Sequence, residues 1–448
     1  MGYLVYFNIV RAGSIIKSPY NERMDSYAKT VVRGSITDKD GNVLAKTKTG
    51  DTYKEDKREY PYGDVFAHVV GYNTNGKSGL ERAENIDLYT SNSFILDKLK
   101  NGLQNKRNVG NTVQTTLDTD LQQACYDALG DNKGAVVCID PKTGGILAMV
   151  SKPDFNPSTV LDNWDKLNTS SDSILLNRAT NGSYVPGSVF KIATTLEYMR
   201  ENSNYNAYTY DCTGEIEPKD GPAIHCFDGD VHGKEDLETS FANSCNTSYS
   251  NIGSKLNTSK WRKTAEDLLF NKTLPCDLPT TTPKFSLKNN DGQSMHMATA
   301  IGQGNTMTNP YHMALIAAAI ANDGVLMKPH LVSKIKNDTG STVKTIKNTE
   351  YKTLMTSSEA SQLRTYMKAV VSEGTGTVLS GRGYEAAGKT GTAEYSSDKS
   401  KDHSWFAGMI NPDDSPMAIC CIIEGADGNA RAVNVVANIF DSYNAELN

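Results

Sequence analysis

Apolar and polar positions alternate near both ends of the chain and follow helical spacing through much of the middle. In TVVRGSITDKDGNVLAK, Asp40-Gly41 separates two alternating runs, which predicts a β-hairpin. Residues 78–110, from SGLERAENIDLYTSN to NGLQNKRNVG, predict a helix followed by a polar link. From Asn111 the texture changes, and VQTTLDTDLQQACYDAL predicts a strand and then a helix capped by Asp118 or Thr119. GAVVCIDPKTGGILAMVSK predicts a second hairpin, two apolar strands around a Thr-Gly-Gly turn. The stretch from about 160 to 330 is helical and irregular, and it includes the apolar helix PYHMALIAAAIANDG closed by Gly324. Three strands, in AAGKTGTAEY, SWFAGMI and MAICCIIEG, and a last helix, VNVVANIFDSYNAEL, finish the chain. Strands early and late around a helical middle predict a sheet assembled from both ends of one domain, in an α/β layer architecture with mostly antiparallel pairing.

Length and composition narrow this picture. A chain of 448 residues is too long for one ordinary core, so two or three domains are expected. The 38% apolar and 22% charged content is that of a soluble globular protein. A net charge of −6 and the lack of any basic run argue against a nucleic-acid partner. No run of apolar residues is long enough to span a bilayer; the short segment YLVYFNIV stops at Arg11. It reads equally as the remainder of a membrane anchor or as a first strand or helix. Eight cysteines in so long a chain do not make a disulfide scaffold. Cys420-Cys421, Cys125 and Cys138 lie in apolar settings and are expected in the core.

The chemistry concentrates in GSYVPGSVFKIATTLEYMR, residues 182–200. A serine is a poor nucleophile unless a base takes its proton. Ser188 and Lys191 are three residues apart, on one side of the helix that follows Pro186-Gly187. Apolar neighbours desolvate the lysine and lower its pKa toward the range where a neutral amine acts as a base. S-x-x-K alone decides nothing, because it also begins at Ser14, Ser26, Ser333, Ser341 and Ser396. Two downstream elements set Ser188 apart: Ser244-Cys245-Asn246, of the form S-x-N, and Lys389-Thr390-Gly391. S-x-N recurs at Ser442 and K-T-G at Lys48 and Lys142, but only Lys389 lies in a Gly- and Ala-lined strand. S-x-x-K, S-x-N and K-T-G in this order are the motif set of penicillin-interacting serine acyl-transferases.

With these motifs, and with RGSITDKDGNVLA, KSGLERAEN, GNTVQTTLDTDLQ, IGQGNTMTNPYHMA and HSWFAGMI, the chain resembles the monofunctional class B penicillin-binding proteins over almost its whole length. The resemblance implies a mainly β N-terminal pedestal over residues 1–110 and a transpeptidase domain over 111–448, with a mostly antiparallel central sheet flanked by helices. It implies that Ser188 attacks the carbonyl between two D-alanines of a peptidoglycan stem peptide and that an amine of a neighbouring strand resolves the acyl-enzyme into a cross-link. Lys191 is then the base, Ser244 the proton relay to the leaving nitrogen, and Asn246 the holder of the substrate amide. Lys389 supports the charges around Ser244. Thr390 and Thr392, with Gly391 between them, bind the substrate carboxylate, and the amides of Ser188 and Thr392 form the oxyanion hole. β-Lactams would acylate Ser188. The family begins with a single membrane-spanning helix, so the sequence reads as an extracytoplasmic region lacking its anchor. A membrane glycosyltransferase is the implied partner, since about 110 pedestal residues leave no room for a glycan-polymerising domain. Catalysis needs no cofactor.

A second constellation lies in DCTGEIEPKDGPAIHCFDGDVHG, residues 211–233, with Cys212, His225, Cys226, Asp228 and His232, and with Cys245 beside Ser244. Three readings stand side by side: a structural zinc ion on Cys212, Cys226, Asp228 and His232, a Cys212–Cys226 disulfide, or free thiols. Other functions fit less well. A serine β-lactamase would need a glutamate to activate water between S-x-N and K-T-G, and Glu266, Glu350, Glu359, Glu373 and Glu385 sit in no loop of that type. A β-lactam sensor would carry several membrane helices, an inert scaffold would not keep Ser188 and Lys191, and a metalloprotease would need H-E-x-x-H.

Overall fold

The computed structural model describes residues 27–393, 402–426 and 431–447, so the apolar run at residues 3–10 lies outside the described residues. The chain divides into two compact units: Met1–Gln123 with Pro153–Leu176 and His330–Lys347, and Ala124–Lys152 with Asn177–Pro329 and Asn348–Asn448.

In the first unit the Asp40-Gly41 hairpin forms between Ile36–Thr37 and Val43–Lys48. The Asp38 carboxylate accepts the backbone N–H groups of Asp40, Gly41 and Asn42, and Gly41 takes φ +99°, so the turn chemistry is local. The hairpin joins a six-stranded sheet in the order Thr342–Thr345, Val332–Lys336, Thr112–Thr115, Ile36–Thr37, Val43–Lys48, Lys57–Glu59. The unit thus draws strands from three distant stretches of sequence. Residues 78–110 do not form one helix followed by a polar link. They break into Gly79–Ala83, Asn85–Tyr89 and Ile95–Leu103, because Thr90 is extended and Ser91-Asn92-Ser93 offers side-chain hydrogen bonds that compete with the helix. Buried Glu81 ties this unit together, accepting from Arg33 Nε at 2.7 Å and Arg58 Nε at 2.6 Å.

The second unit is built on a fully antiparallel five-stranded sheet in the order Ala386–Ala393, His403–Ile410, Met417–Ile423, Gly134–Ile139, Ile146–Lys152. Early and late strands meet between Met417–Ile423 and Gly134–Ile139, as the pattern predicts. Cys420, Cys421 and Cys138 are core residues there. Pro310–Ala321 is buried at all twelve positions and packs against three of the strands, which explains why it is apolar all round. Its Asn309 cap accepts from His312 N–H, and Gly324 at φ +89° returns its N–H to the Ala319 carbonyl. Ser357–Ser372 packs on Ala386–Ala393, which is an edge strand of the sheet. Among the described residues no helix is long and apolar enough to cross a membrane.

Candidate active site

Pro186-Gly187 opens a 3-10 turn, Gly187–Phe190, that runs directly into the Lys191–Glu201 helix. Sequence spacing alone suggests an α-helical start. Instead Ser188 lies in the 3-10 turn and Lys191 is the first residue of the α-helix. Gly187 has φ +56°, and a Cβ there would lie 2.4 Å from the Thr392 carbonyl oxygen. On the other side a Cβ at Gly302 would meet the Gly187 carbonyl oxygen at 1.9 Å, and Gly187 N–H donates to the Gly302 carbonyl at 3.0 Å. The turn that carries Ser188 is thus wedged against the Lys389-Thr390-Gly391 strand by contacts only glycine permits. Trp405 Nε1–H donates to the Val185 carbonyl at 3.2 Å and fixes the approach to the turn.

Lys191 is fully buried. Its Nζ donates to the Ser244 carbonyl at 2.5 Å, to Ser244 Oγ at 3.2 Å and to Asn246 Oδ1 at 2.8 Å. The first two motifs therefore converge on one nitrogen. Burial lowers the Lys191 pKa from the usual lysine range to about 7, the nearby Cys245, Cys226 and Glu235 opposing the shift. Lys389 is also fully buried, over the Phe241 ring, and desolvation together with the Lys191 charge holds its pKa well below the usual lysine range.

Ser244 lies between the Leu237–Ala242 and Asn246–Gly253 helices with φ +55°, a left-handed conformation uncommon for a residue with a Cβ. Cys245 caps the second helix, its sulfur accepting from Ser248 N–H. Asn246 is gripped at both ends: Oδ1 by Lys191, and Nδ2 donating to the His225 carbonyl at 3.0 Å. Thr390 Oγ1 lies 2.5 Å from Thr375 Oγ1. Thr392 is half-buried on the edge strand, whose outer side carries no neighbouring strand among the described residues. Such an edge accepts an extended peptide by strand addition. Thr375, in the turn at residues 373–376, and Gly302 escape reading from sequence, because nothing in SEGTG or IGQGN points to Thr390 or Gly187.

The cysteine loop folds onto the same place. Tyr210–Cys212 pairs with Gly233–Glu235, and Cys212, Cys226, Cys245 and His232 bring their ligand atoms within 4.8 Å of one another. The sulfurs of Cys212 and Cys226 are 3.7 Å apart, those of Cys226 and Cys245 3.8 Å, and Cys212 Sγ lies 3.4 Å from His232 Nδ1. Cys212, Cys226 and His232 of the candidate zinc set come together, but the fourth member is Cys245 and not Asp228. Asp228 is exposed in the Phe227–Gly229 turn, at φ +53°. His225 is exposed beside Glu215 and contributes only its carbonyl. Adjacency to Ser244 was the one sequence signal for Cys245.

Residues 134–442 match the family model of the penicillin binding protein transpeptidase domain, and residues 33–113 that of the penicillin binding protein A dimerisation domain. A curated relative, the peptidoglycan D,D-transpeptidase PbpA of Mycolicibacterium smegmatis, is 30% identical over 94% of this chain and 89% of its own. The D,D-transpeptidase domain of an Eggerthella lenta peptidoglycan glycosyltransferase superposes with a TM-score of 0.83 at 29% identity, covering 94% of this chain and 99% of that one. Penicillin-binding protein A of M. tuberculosis, solved as a penicillin G acyl-enzyme complex, gives 0.84 at 27% identity over 94% of this chain and 100% of its own.

Proposed function

Because the chain belongs to the penicillin-binding protein transpeptidase family, we propose that it is a peptidoglycan D,D-transpeptidase that works through a serine acyl-enzyme on Ser188 and is acylated by β-lactams. The observation that carries this reading is the convergence on Lys191: one buried amine, one turn beyond Ser188, bonded to both Ser244 and Asn246.

The chemistry follows from that geometry. With its pKa near 7, Lys191 is neutral in a substantial fraction at physiological pH and takes the Ser188 hydroxyl proton. The Ser188 oxygen bonds to the carbonyl carbon between the two D-alanines, and backbone amides of Ser188 and Thr392 receive the developing oxyanion. The proton passes by way of the Ser244 hydroxyl to the departing nitrogen, the C–N bond breaks, and D-alanine leaves. An acceptor amine then attacks the Ser188 ester, gives up a proton along the same route and frees the serine. Thr390 and Thr392 hold the terminal carboxylate beside buried Lys389, and the stem peptide lies along Ala386–Ala393. Asn246, already bonded to Lys191, positions the base and offers its remaining N–H to substrate.

The reading extends to a structural zinc ion on Cys212, Cys226, Cys245 and His232. Ligands about 2.3 Å from a tetrahedral metal sit roughly 3.8 Å from one another; three of the separations are 3.7, 3.8 and 3.4 Å, and all four ligand atoms lie within 4.8 Å of one another. The Ser248 N–H and the Thr247 hydroxyl supply donors to the sulfurs, the usual support of a thiolate site. No catalytic step uses the metal. A single membrane-spanning segment ahead of the pedestal, placing both units outside the cytoplasm, and a membrane glycosyltransferase supplying the glycan strands complete the proposal.

The test is an intact-mass time course with excess benzylpenicillin, beside Ser188→Ala. A single persistent adduct absent from the variant supports the reading. Rapid adduct loss with drug turnover makes the protein a β-lactamase, and no adduct at all overturns the catalytic assignment.

A further inference from the structure

In the first unit, the Ile95–Leu103 helix buries none of its residues, yet Ile95, Leu96, Leu99 and Leu103 are 74%, 75%, 60% and 90% exposed, and Phe94 just before it is 63% exposed. Scattered exposed apolar residues need no explanation, but a stripe does. At about 100° per residue the four aliphatic side chains fall within one arc of about 100°, and Lys98 and Lys100 flank it on either side. Asp97 and Asn101 take the opposite face. The helix is therefore amphipathic, with its apolar side outward and lysines at the border.

We propose that this helix lies in the surface of an anionic lipid bilayer, with Phe94, Ile95, Leu96, Leu99 and Leu103 in the acyl-headgroup boundary. Three observations choose lipid over protein. The fringe is basic: exposed Lys100 borders the stripe and exposed Lys106 follows three residues after the helix, in a chain whose net charge is −6. Lysines that bury their stems and lift their charge are the mark of an interfacial helix, whereas lysine is depleted from protein interfaces. The face is also small. A nine-residue helix is about 13 Å long and offers far less than the roughly 800 Å² per partner of a standard interface. Finally, the patch lies beside the first described residues, which follow an apolar run at residues 3–10 in sequence. Val31 and Val32 pair in parallel with Asn108 and Val109 just past the helix, and Arg107 donates to the Ala28 carbonyl. Exposed Tyr27, Lys29 and Val109 continue the apolar and basic surface there.

The inference rests on the reading that the chain works at the outer face of a membrane, and it deepens that reading by naming the surface that meets lipid. Such a contact would hold the pedestal at a set height and tilt beyond any single tether.

The experiment is vesicle co-sedimentation of the full chain, with phosphatidylcholine alone and with about one third phosphatidylglycerol, whose anionic surface attracts the lysines. The parent should partition to the anionic vesicles. Leu96→Ser/Leu99→Ser should partition at least about tenfold less, two leucines withdrawn from the interface being worth more than 1.4 kcal/mol. Lys100→Glu/Lys106→Glu should weaken binding and remove its salt dependence. Val5→Ser/Phe7→Ser should keep the helix-dependent part. Equal partitioning of the leucine variant and the parent, or binding lost only in the Val5→Ser/Phe7→Ser chain, overturns the proposal. So does a dimer in sedimentation velocity that the leucine variant loses while neither protein binds vesicles, which would make a second copy the occupant. Benzylpenicillin acylation of each variant is measured in parallel, so misfolding or failure of the catalytic reading shows separately.

Discussion

A Cβ at Gly187 would sit 2.4 Å from the carbonyl oxygen of Thr392, so the residue before the candidate nucleophile rests directly on the backbone of the candidate substrate strand. Gly187 also has φ +56°, where a side chain is strained whatever the space around it. Gly187→Ala should therefore shift Ser188 away from Lys191 and Thr392. Acylation by benzylpenicillin should slow by at least about a hundredfold, the scale of a displacement of about 1 Å at a reacting group. Stopped-flow or mass-resolved acylation kinetics would show this, with circular dichroism confirming the fold; a rate equal to the parent's would sink the wedge.

The pH dependence follows from Lys191. Burial lowers its pKa to about 7, and only the neutral amine accepts the Ser188 proton. Acylation should rise about tenfold per pH unit on the acid side and level off above about 7. The sign is fixed: a rate that falls with rising pH across this range would exclude Lys191 as the base.

Asn246→Asp tests the same amine from its partner. Its Oδ1 lies 2.8 Å from Lys191 Nζ, and a carboxylate there would favour the charged lysine. The acid limb should move up by about one pH unit or more, leaving the protein slow at neutral pH and partly recovered in mildly alkaline buffer. A profile lowered uniformly, with its midpoint unmoved, would make Asn246 a substrate contact alone.

For the cysteine group, the expectation is one zinc per chain by elemental analysis of protein purified without added chelator. Cys226→Ser should lower zinc occupancy and the melting temperature together. Because Cys245 joins Ser244 to Asn246, stripping the metal with a strong chelator should also slow acylation, with recovery on returning zinc. Protein that is metal-free as purified and melts unchanged in chelator would leave the group as buried thiols.

In the first unit, Glu81 is the point to probe. Burial pushes its carboxyl up, but Arg33 and Arg58 outweigh that and hold it below the ordinary glutamate range. Its stabilisation is therefore complete above the unfolded carboxyl's range and is lost as pH falls through the depressed folded value. Glu81→Gln leaves two guanidinium groups buried without their charge partner, which should cost about 3–5 kcal/mol. Calorimetry of the unit's transition reads the loss, and an unchanged transition would show that solvent reaches the arginines.

What could be read directly from the residues is what short-range physics dictates. The Asp40-Gly41 turn, the capped Pro310–Ala321 helix, the late apolar strands and the order Ser188-Lys191, Ser244-Asn246, Lys389-Gly391 all depend on neighbours a few positions apart, whose turn chemistry and periodicity are visible in the chain. The tertiary structure decided which of these meet. Lys191 reaches Asn246 across 55 residues, Gly187 meets Gly302 and Thr392, and Cys245 joins Cys212, Cys226 and His232 in the place expected for Asp228. It also split residues 78–110 into three short helices and left the apolar side of the last one facing outward. Local propensity carries no information about such contacts, because they depend on how separate layers pack and on where only a glycine lets two backbones touch.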